Sequence, residues 1–275
     1  MEYACHGKTL TFIKPLVMAI VNLTPDSFYD GGKYGSTADV IRDAGEKLKS
    51  GAKIIDIGAA SSRPGAQEIS EAEEWQRLED ALKQLRRTFP EVFISVDTYR
   101  SSIALRCAEE GADIINDISG GKFDKNMLDT VARINLPYVM MHIQGNPGNM
   151  QENPHYENVV MEVRTEFERK AAYLNGFGFS KIILDPGFGF GKNNLHNYSL
   201  LKNLSVFCNL GYPVLAGVSR KSMVNKIIHT NPVTALNGTT VLNTLALLNG
   251  ANILRVHDVP EAQQAIELVE YYKSV

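Results

Sequence analysis

One pattern constrains this chain more than any other. From residue 16 onward, short apolar runs alternate with helix-like stretches, eight times over. The first run, 16–21, is aliphatic on both faces and stops at Asn22, which opens a polar loop through Gly32. Such a run reads as a strand buried on both sides. Seven more follow at 53–57, 92–97, 113–117, 137–142, 181–185, 213–219 and 252–257. Helical periodicity fills 38–50, 70–89, 101–110, 125–135, 156–176, 195–210, 233–249 and 260–273. Gly51 is placed to end the first helix, and Ser70 with Glu73 to open the second as a capping box. Strict alternation implies right-handed crossovers and a parallel sheet. Eight units favour closure into a (β/α)8 TIM barrel, an α/β fold, with residues 1–275 as a single domain. A doubly wound open sheet is the alternative, usually with fewer strands.

Composition narrows the function classes. Apolar residues make up 44% and charged residues 21%, the balance of a globular protein. A net charge of −3 leaves no electrostatic footprint for nucleic acid or an anionic membrane. The reading is therefore of small-molecule partners, with no nucleic acid and no membrane. No apolar run reaches the ~20 residues of a membrane span, and residues 1–14 lack a signal pattern. Cys5, Cys107 and Cys208 are too few and too scattered for a disulfide framework or a zinc site. They fit reduced cysteines in a cytoplasmic protein.

In a parallel barrel, chemistry is mounted at the carboxyl ends of the strands. Here those ends carry Asn22, Asp56, Asp97, Asn116, His142, Asp185, then Ser219-Arg220-Lys221, then Arg255 and His257. Side chains alternate along a strand, so Arg255 and His257 share a face above Ile253, as Asp97 does with Ser95 and Asp185 with Ile183. Any one of these could be a structural hydrogen-bonding group; polar residues at all eight strand ends argue for a site. Arg63, Lys221, Arg255 and His257 form a cationic half suited to phosphate oxygens. Asn22 stands beside it as a neutral oxygen ligand for Mg²⁺. The segment 219–222 begins a helix, whose free N–H groups also favour an anion. Asp97, Asn116 and Asp185 form a half suited to a ligand edge rich in N–H donors, such as an amino-pyrimidine. One substrate with a donor-rich ring and a phosphorylated tail satisfies both halves.

Two motifs invite misreading. The glycine-rich segment 185–192 fits neither a dinucleotide loop nor a P-loop, because Lys192 and Pro186 occupy glycine positions. It serves either as a close backbone approach to a flat ligand, with Phe190 as a wall, or as a tight turn. His142 has no partner at metal-ligand spacing and reads as a structural histidine. Asp56 is read as structural too.

Seven segments together resemble the dihydropteroate synthase family over residues 16–257. They are 22–28 (Asn-Leu-Thr-Pro-Asp-Ser-Phe), 62–65 (Ser-Arg-Pro-Gly), 96–98 (Val-Asp-Thr), 116–118 (Asn-Asp-Ile), 185–189 (Asp-Pro-Gly-Phe-Gly), 219–222 (Ser-Arg-Lys-Ser) and 255–257 (Arg-Val-His). The resemblance implies a barrel enzyme that joins 4-aminobenzoate to 6-hydroxymethyl-7,8-dihydropterin diphosphate, releasing dihydropteroate and diphosphate in folate biosynthesis. Sulfonamides act on the family as 4-aminobenzoate mimics. Carried over by motif, the pterin lies against Asp97, Asn116, Asp185 and Lys221, with Met140 and Phe190 as walls. Diphosphate falls to Asn22, Ser62, Arg63, Arg255 and His257, with Mg²⁺ near Asn22. The aminobenzoate falls near Phe28, Pro64, Phe190 and Lys221, its carboxylate near Ser222. The catalytic set is then Asp97, Lys221, Arg255 and His257. The resemblance also suggests a homodimer, for which Trp75 or the late helices offer surface. One departure stands out: where the family commonly has Glu-Ser-Thr-Arg-Pro-Gly, this chain has Ala60-Ser61-Ser62-Arg63-Pro64-Gly65, losing one carboxylate.

The alternative enzyme is a pterin-binding methyltransferase barrel, which has no use for basic residues on the last two strands. A sugar-phosphate aldolase or isomerase would need a Schiff-base lysine or an acid–base pair inside the barrel, and Lys221 lies past its strand end. A barrel kept only as a binding scaffold would not need the full polar set.

Overall fold

A computed structural model describes residues 1–23, 36–60 and 68–275. Two antiparallel strands, β1 (Glu2–Cys5) and β2 (Lys8–Thr11), open the chain. His6 and Gly7 turn between them at φ 47° and 75°, the doubly positive geometry that matches hairpin twist. The sequence reading found no element here, because two four-residue strands carry too little periodicity.

Eight parallel strands follow: β3 (Leu16–Asn22), β4 (Ile54–Gly58), β5 (Phe93–Asp97), β6 (Ile114–Asp117), β7 (Tyr138–Met141), β8 (Ile182–Asp185), β9 (Leu215–Ala216) and β10 (Ile253–Val256). Each pairs with its sequence neighbour, and β10 pairs with β3. The bridge Leu184↔Val214, with Leu184 N–H donating to Pro213 O at 2.8 Å, joins β8 to the β9 segment and closes the ring. The expected barrel is the observed one.

Helices cover the outside: α1 (Thr37–Lys49), α2 (Glu71–Thr88), α3 (Ser101–Glu109), α4 (Met127–Ile134), α5 (Val159–Gly176), α6 (Asn194–Lys202), α7 (Ser205–Cys208), α8 (Ser222–Ile228), α9 (Leu236–Leu248) and α10 (Val259–Ser274). Ser70 caps α2 by accepting from Glu73 N–H. The stretch expected as one helix over 195–210 is two. Asn203 ends α6, its side-chain amide donating to Ser199 O at 2.8 Å, a local bond that competes with helix continuation. Strand pairing over 213–219 ends early, at Ala216, and the chain enters the left-handed region at Arg220, φ 55°.

The interior has two layers of packing. Between strands and helices lies the larger apolar cluster, which holds the outward-facing strand residues such as Ile55, Val96, Ile115 and Met140. Inside the barrel, Met18, Ile54, Ile114, Val139, Ile183, Leu215 and Ile253 pack together with Tyr3, Leu10 and Phe12 of the N-terminal segment. The hairpin thus seals the amino end of the barrel with apolar side chains. Above that plug the inward positions turn polar, and the carboxyl end is where they converge.

Candidate active site

Asp56 sits on β4 one inward step below the rim and is fully buried. Arg255 reaches it from β10: Nε donates to Asp56 Oδ2 at 2.7 Å, and Nη2 lies 2.6 Å from the same oxygen. Nη2 also donates to Asp97 Oδ2 at 3.0 Å. Asn116 on β6 donates its amide to both Asp56 oxygens, at 3.2 and 3.3 Å. Asp56, read from the sequence as structural, is therefore the buried anchor of two residues expected at the site. Its signal was available: it alternates with Gly58 and pairs in register with Ser95, below Asp97. Gly58 itself is required by closeness, since a Cβ there would lie 3.2 Å from Asp97 Cβ.

The second cluster builds from β8 and the β9 loop. Asp185 Oδ1 accepts from Gly187 N–H at 2.7 Å, which fixes the start of the glycine-rich turn. Lys221 Nζ donates to Phe188 O at 2.6 Å and lies 4.8 Å from the centre of the Phe190 ring. Gly217 lies between the two clusters, with Lys221 Nζ and Arg255 Cβ 3.8 and 3.9 Å from where its Cβ would be. Of the two halves expected from the sequence, Lys221 and Arg255 thus lie beside Asp97, Asn116 and Asp185, with Arg255 between carboxylates and not set apart from them.

Electrostatics follow from that crowding. Burial pushes the Asp97 carboxyl up to about 7; Arg255 opposes this, but Asp56 already holds the same guanidinium and adds negative charge. Burial likewise raises Asp185, against the pull of Lys221. Lys221 is pushed down to about 8 by burial, with Asp185 opposing and Arg255 assisting.

The remaining expected residues are less central. His257 Nδ1 lies 3.0 Å from Ser219 Oγ, at the mouth of the neighbouring strand. Asn22 is half-buried at the end of β3. Ser222 is exposed at the first turn of α8. Arg220 points away from the cleft, holding Asp258 with Nε and Nη2 at 2.8 and 2.6 Å and the carbonyls of Pro232 and Val233 with Nη1. Phe28, Ser62, Arg63 and Pro64 lie outside the described residues.

Met140 needs correction. It faces the helices and is buried in the outer layer, whereas Met141 shares an apolar cluster with Phe190, Ile118, Ile143 and Met150 at the carboxyl end. Val139 is an inward residue, so strand alternation makes Met141, not Met140, the inward neighbour that can wall the cleft with Phe190.

The glycine-rich segment is a turn whose close approaches are to protein. A Cβ at Gly187, φ 71°, would sit 2.0 Å from His142 O. His142 is a buried structural group: its Nδ1 lies 2.9 Å from Lys192 Nζ and its Nε2 3.5 Å from Glu166 Oε2. Among the described residues, no three His, Cys, Asp or Glu side chains come together as a metal cluster.

A family profile described as "Pterin binding enzyme" matches residues 18–257. Dihydropteroate synthase of Escherichia coli K12 is 43% identical over 272 residues, covering 98% of this chain and 96% of that one. The chain belongs to the dihydropteroate synthase family. Among solved structures, Yersinia pestis dihydropteroate synthase in a sulfonamide drug complex superposes with a TM-score of 0.96 at 39% identity, covering all of both chains. Xanthomonas albilineans dihydropteroate synthase in complex with 7,8-dihydropteroate superposes at 0.88 with 32% identity, covering 100% of this chain and 99% of that one. The profile match runs from the second inward-facing layer of β3 to His257. It spans every strand end of the cleft and omits the hairpin plug and α10.

Proposed function

We propose that this single-domain chain condenses 6-hydroxymethyl-7,8-dihydropterin diphosphate with 4-aminobenzoate in the cleft built around Asp56. The observation that carries the reading is the convergence of Asp97, Asn116, Asp185, Lys221 and Arg255 at one barrel mouth. Asp185 and the carbonyl oxygen of Asn116 accept from the N–H-rich edge of the pterin. Asn116 keeps its amide on Asp56, so its oxygen is the end it presents. Lys221 faces the pterin's own oxygen, and Phe190 with Met141 brackets the ring.

Arg255 spends Nε and Nη2 on Asp56 and Asp97. Its Nη1 donors remain for the diphosphate, with Arg63, Ser62 and His257 as further contacts. Asn22 fits Mg²⁺ as one neutral oxygen among waters and phosphate oxygens, the usual way this ion is held. When bound there, Mg²⁺ supplies charge stabilisation to the departing diphosphate. Asp97, ionised, stabilises positive charge developing on the pterin methylene as the C–O bond lengthens. The arylamine attacks as a neutral nucleophile, so no activated serine or cysteine is required. The aminobenzoate lies near Phe28, Pro64, Phe190 and Lys221 with its carboxylate at Ser222, where a sulfonamide would compete.

The deciding experiment is diphosphate release measured with and without 4-aminobenzoate; release that ignores 4-aminobenzoate overturns the reading. Dissociative cleavage is tested by oxygen-18 scrambling within the pterin diphosphate, followed by NMR.

The proposal extends to a cytoplasmic homodimer. Val241, Leu245 and Leu248 form an exposed apolar stripe on α9, and Leu268, Tyr271 and Tyr272 are exposed on α10, which packs against it. Trp75 offers less, being packed on the core with the Arg106 guanidinium 5.5 Å from its ring. Sedimentation at the mass of one 30.4 kDa chain would exclude the dimer.

A further inference from the structure

In the turn after β8, every main-chain carbonyl from Gly187 to Gly191 has a donor. Gly187 O accepts from Phe190 N–H at 3.1 Å and Phe188 O from Lys221 Nζ at 2.6 Å. Gly189 O accepts from Gln151 Nε2 at 2.6 Å, Phe190 O from Lys192 Nζ at 2.9 Å, and Gly191 O from the Tyr156 hydroxyl at 2.9 Å. A segment with three glycines at positive φ would otherwise sample many shapes. Here four of its five carbonyls are held by side chains.

Lys192 is the unusual member of this set. It is 2% exposed, and its ammonium meets three acceptors: Phe190 O, His142 O at 3.2 Å and His142 Nδ1 at 2.9 Å. Three acceptors match three ammonium hydrogens. Among the described residues, no carboxylate touches it directly. Burial pushes the ammonium down to about 7, opposed across space by Asp185 and more weakly by Glu166, whose Oε2 lies 3.5 Å from His142 Nε2 and whose Oε1 pairs with Lys170 at 2.6 Å. Burying an ammonium in this way is costly, and tying down a turn does not require it.

What Lys192 joins explains its presence. Phe190 packs against the apolar cluster at the barrel mouth that holds Met141, and His142 directly follows Met141 at the end of β7. One ammonium therefore fixes the backbone that carries Phe190 to the backbone that carries Met141. We propose that Lys192 is a positioning residue that sets the width of the slot between Phe190 and Met141, and thereby the enzyme's affinity for a flat bicyclic heterocycle. This rests on the reading of Phe190 as a wall of the pterin slot.

The test is a double-mutant cycle of Lys192→Met and Phe190→Ala, read as the calorimetric Kd for 6-hydroxymethylpterin, the KM for the pterin diphosphate, and kcat. Losing a charge-assisted bond to the Phe190 carbonyl should weaken pterin binding about tenfold or more. KM should rise accordingly, with kcat at saturation within about twofold, because the reacting groups Asp97 and Arg255 do not contact Lys192. Phe190→Ala should weaken binding as well, and the double variant should be no worse than the poorer single one, since both act through one wall. If Phe190→Ala leaves Kd unchanged, the wall reading itself is wrong. If Phe190→Ala weakens binding but Lys192→Met does not, or the two effects add in full, the proposal for Lys192 is overturned. Lys192→Gln, which keeps an amide donor of shorter reach, should give a smaller loss in the same direction and substitutes for the methionine variant if that fails to fold.

Discussion

Arg255 concentrates the consequences of this architecture at single residues. Arg255→Ala removes the proposed diphosphate contact and leaves Asp56 buried without its cation. The expected result is a fall in kcat/KM of at least about 100-fold, a plausible size for removing a donor aimed at developing charge. Steady-state diphosphate release checks it, and a near-normal kcat/KM would refute the assignment. Asp97 carries a separate prediction. With its carboxyl held up to about 7 and the Lys221 ammonium down to about 8, kcat/KM should rise as pH increases through 7 and fall as it passes 8. Asp97→Asn should lower activity and remove the acid limb while leaving the basic one. The stability sign is opposite: a raised carboxyl pKa favours the folded chain below about 4, the unfolded value, and that contribution fades as pH climbs through 7. Much of this was legible in sequence, because a polar residue closing an apolar run is visible without coordinates. Asp56 was read as structural without its partner, since the contact that gives it that role is with Arg255, 199 residues away. Met140 and Met141 were confused because two adjacent methionines differ only in which face of β7 they occupy.

At the scale of elements, the top of β5 is bound to α2 by charges that the sequence did not reveal. Glu74 is a fully buried helical carboxylate that accepts from Thr98 Oγ1 at 2.6 Å and pairs with Arg100. Arg100 also donates to Ile69 O at 2.6 Å, so the residues leading into α2 are fastened to the strand carrying Asp97. On a helical wheel Glu74 is an ordinary polar position in the first turn; only the neighbouring strand end explains its burial. Arg100→Ala strands that carboxylate with a single hydroxyl partner. The expected cost is about 3–5 kcal/mol, the range for breaking a buried ion pair from one side. A urea denaturation midpoint that does not move would show that Glu74 does not depend on Arg100 for its place in the core.

The whole molecule divides its tasks between the two ends of the barrel. At the amino end, Tyr3, Leu10 and Phe12 plug the lumen, the Tyr3 hydroxyl donates to Ile182 O at 2.7 Å, and buried Asp113 holds Lys8 and Arg86. At the carboxyl end, the polar cleft does the chemistry. The alternation of strands and helices made the barrel legible, but closure leaves an amino-end opening that some other segment must fill. The filling hairpin was invisible because its two strands are short and their partners are distant. This division predicts that stability and activity separate. Phe12→Ala opens a void beneath the strands and should cost about 3–5 kcal/mol, as large aromatic truncations in cores do. Below its melting point the variant should keep wild-type kcat/KM, because Ile54, Ile114 and Ile253 lie between the void and the cleft. A parallel loss of activity and stability would mean that the apolar layer transmits strain to Asp56 and Arg255, and that the barrel works as one rigid piece.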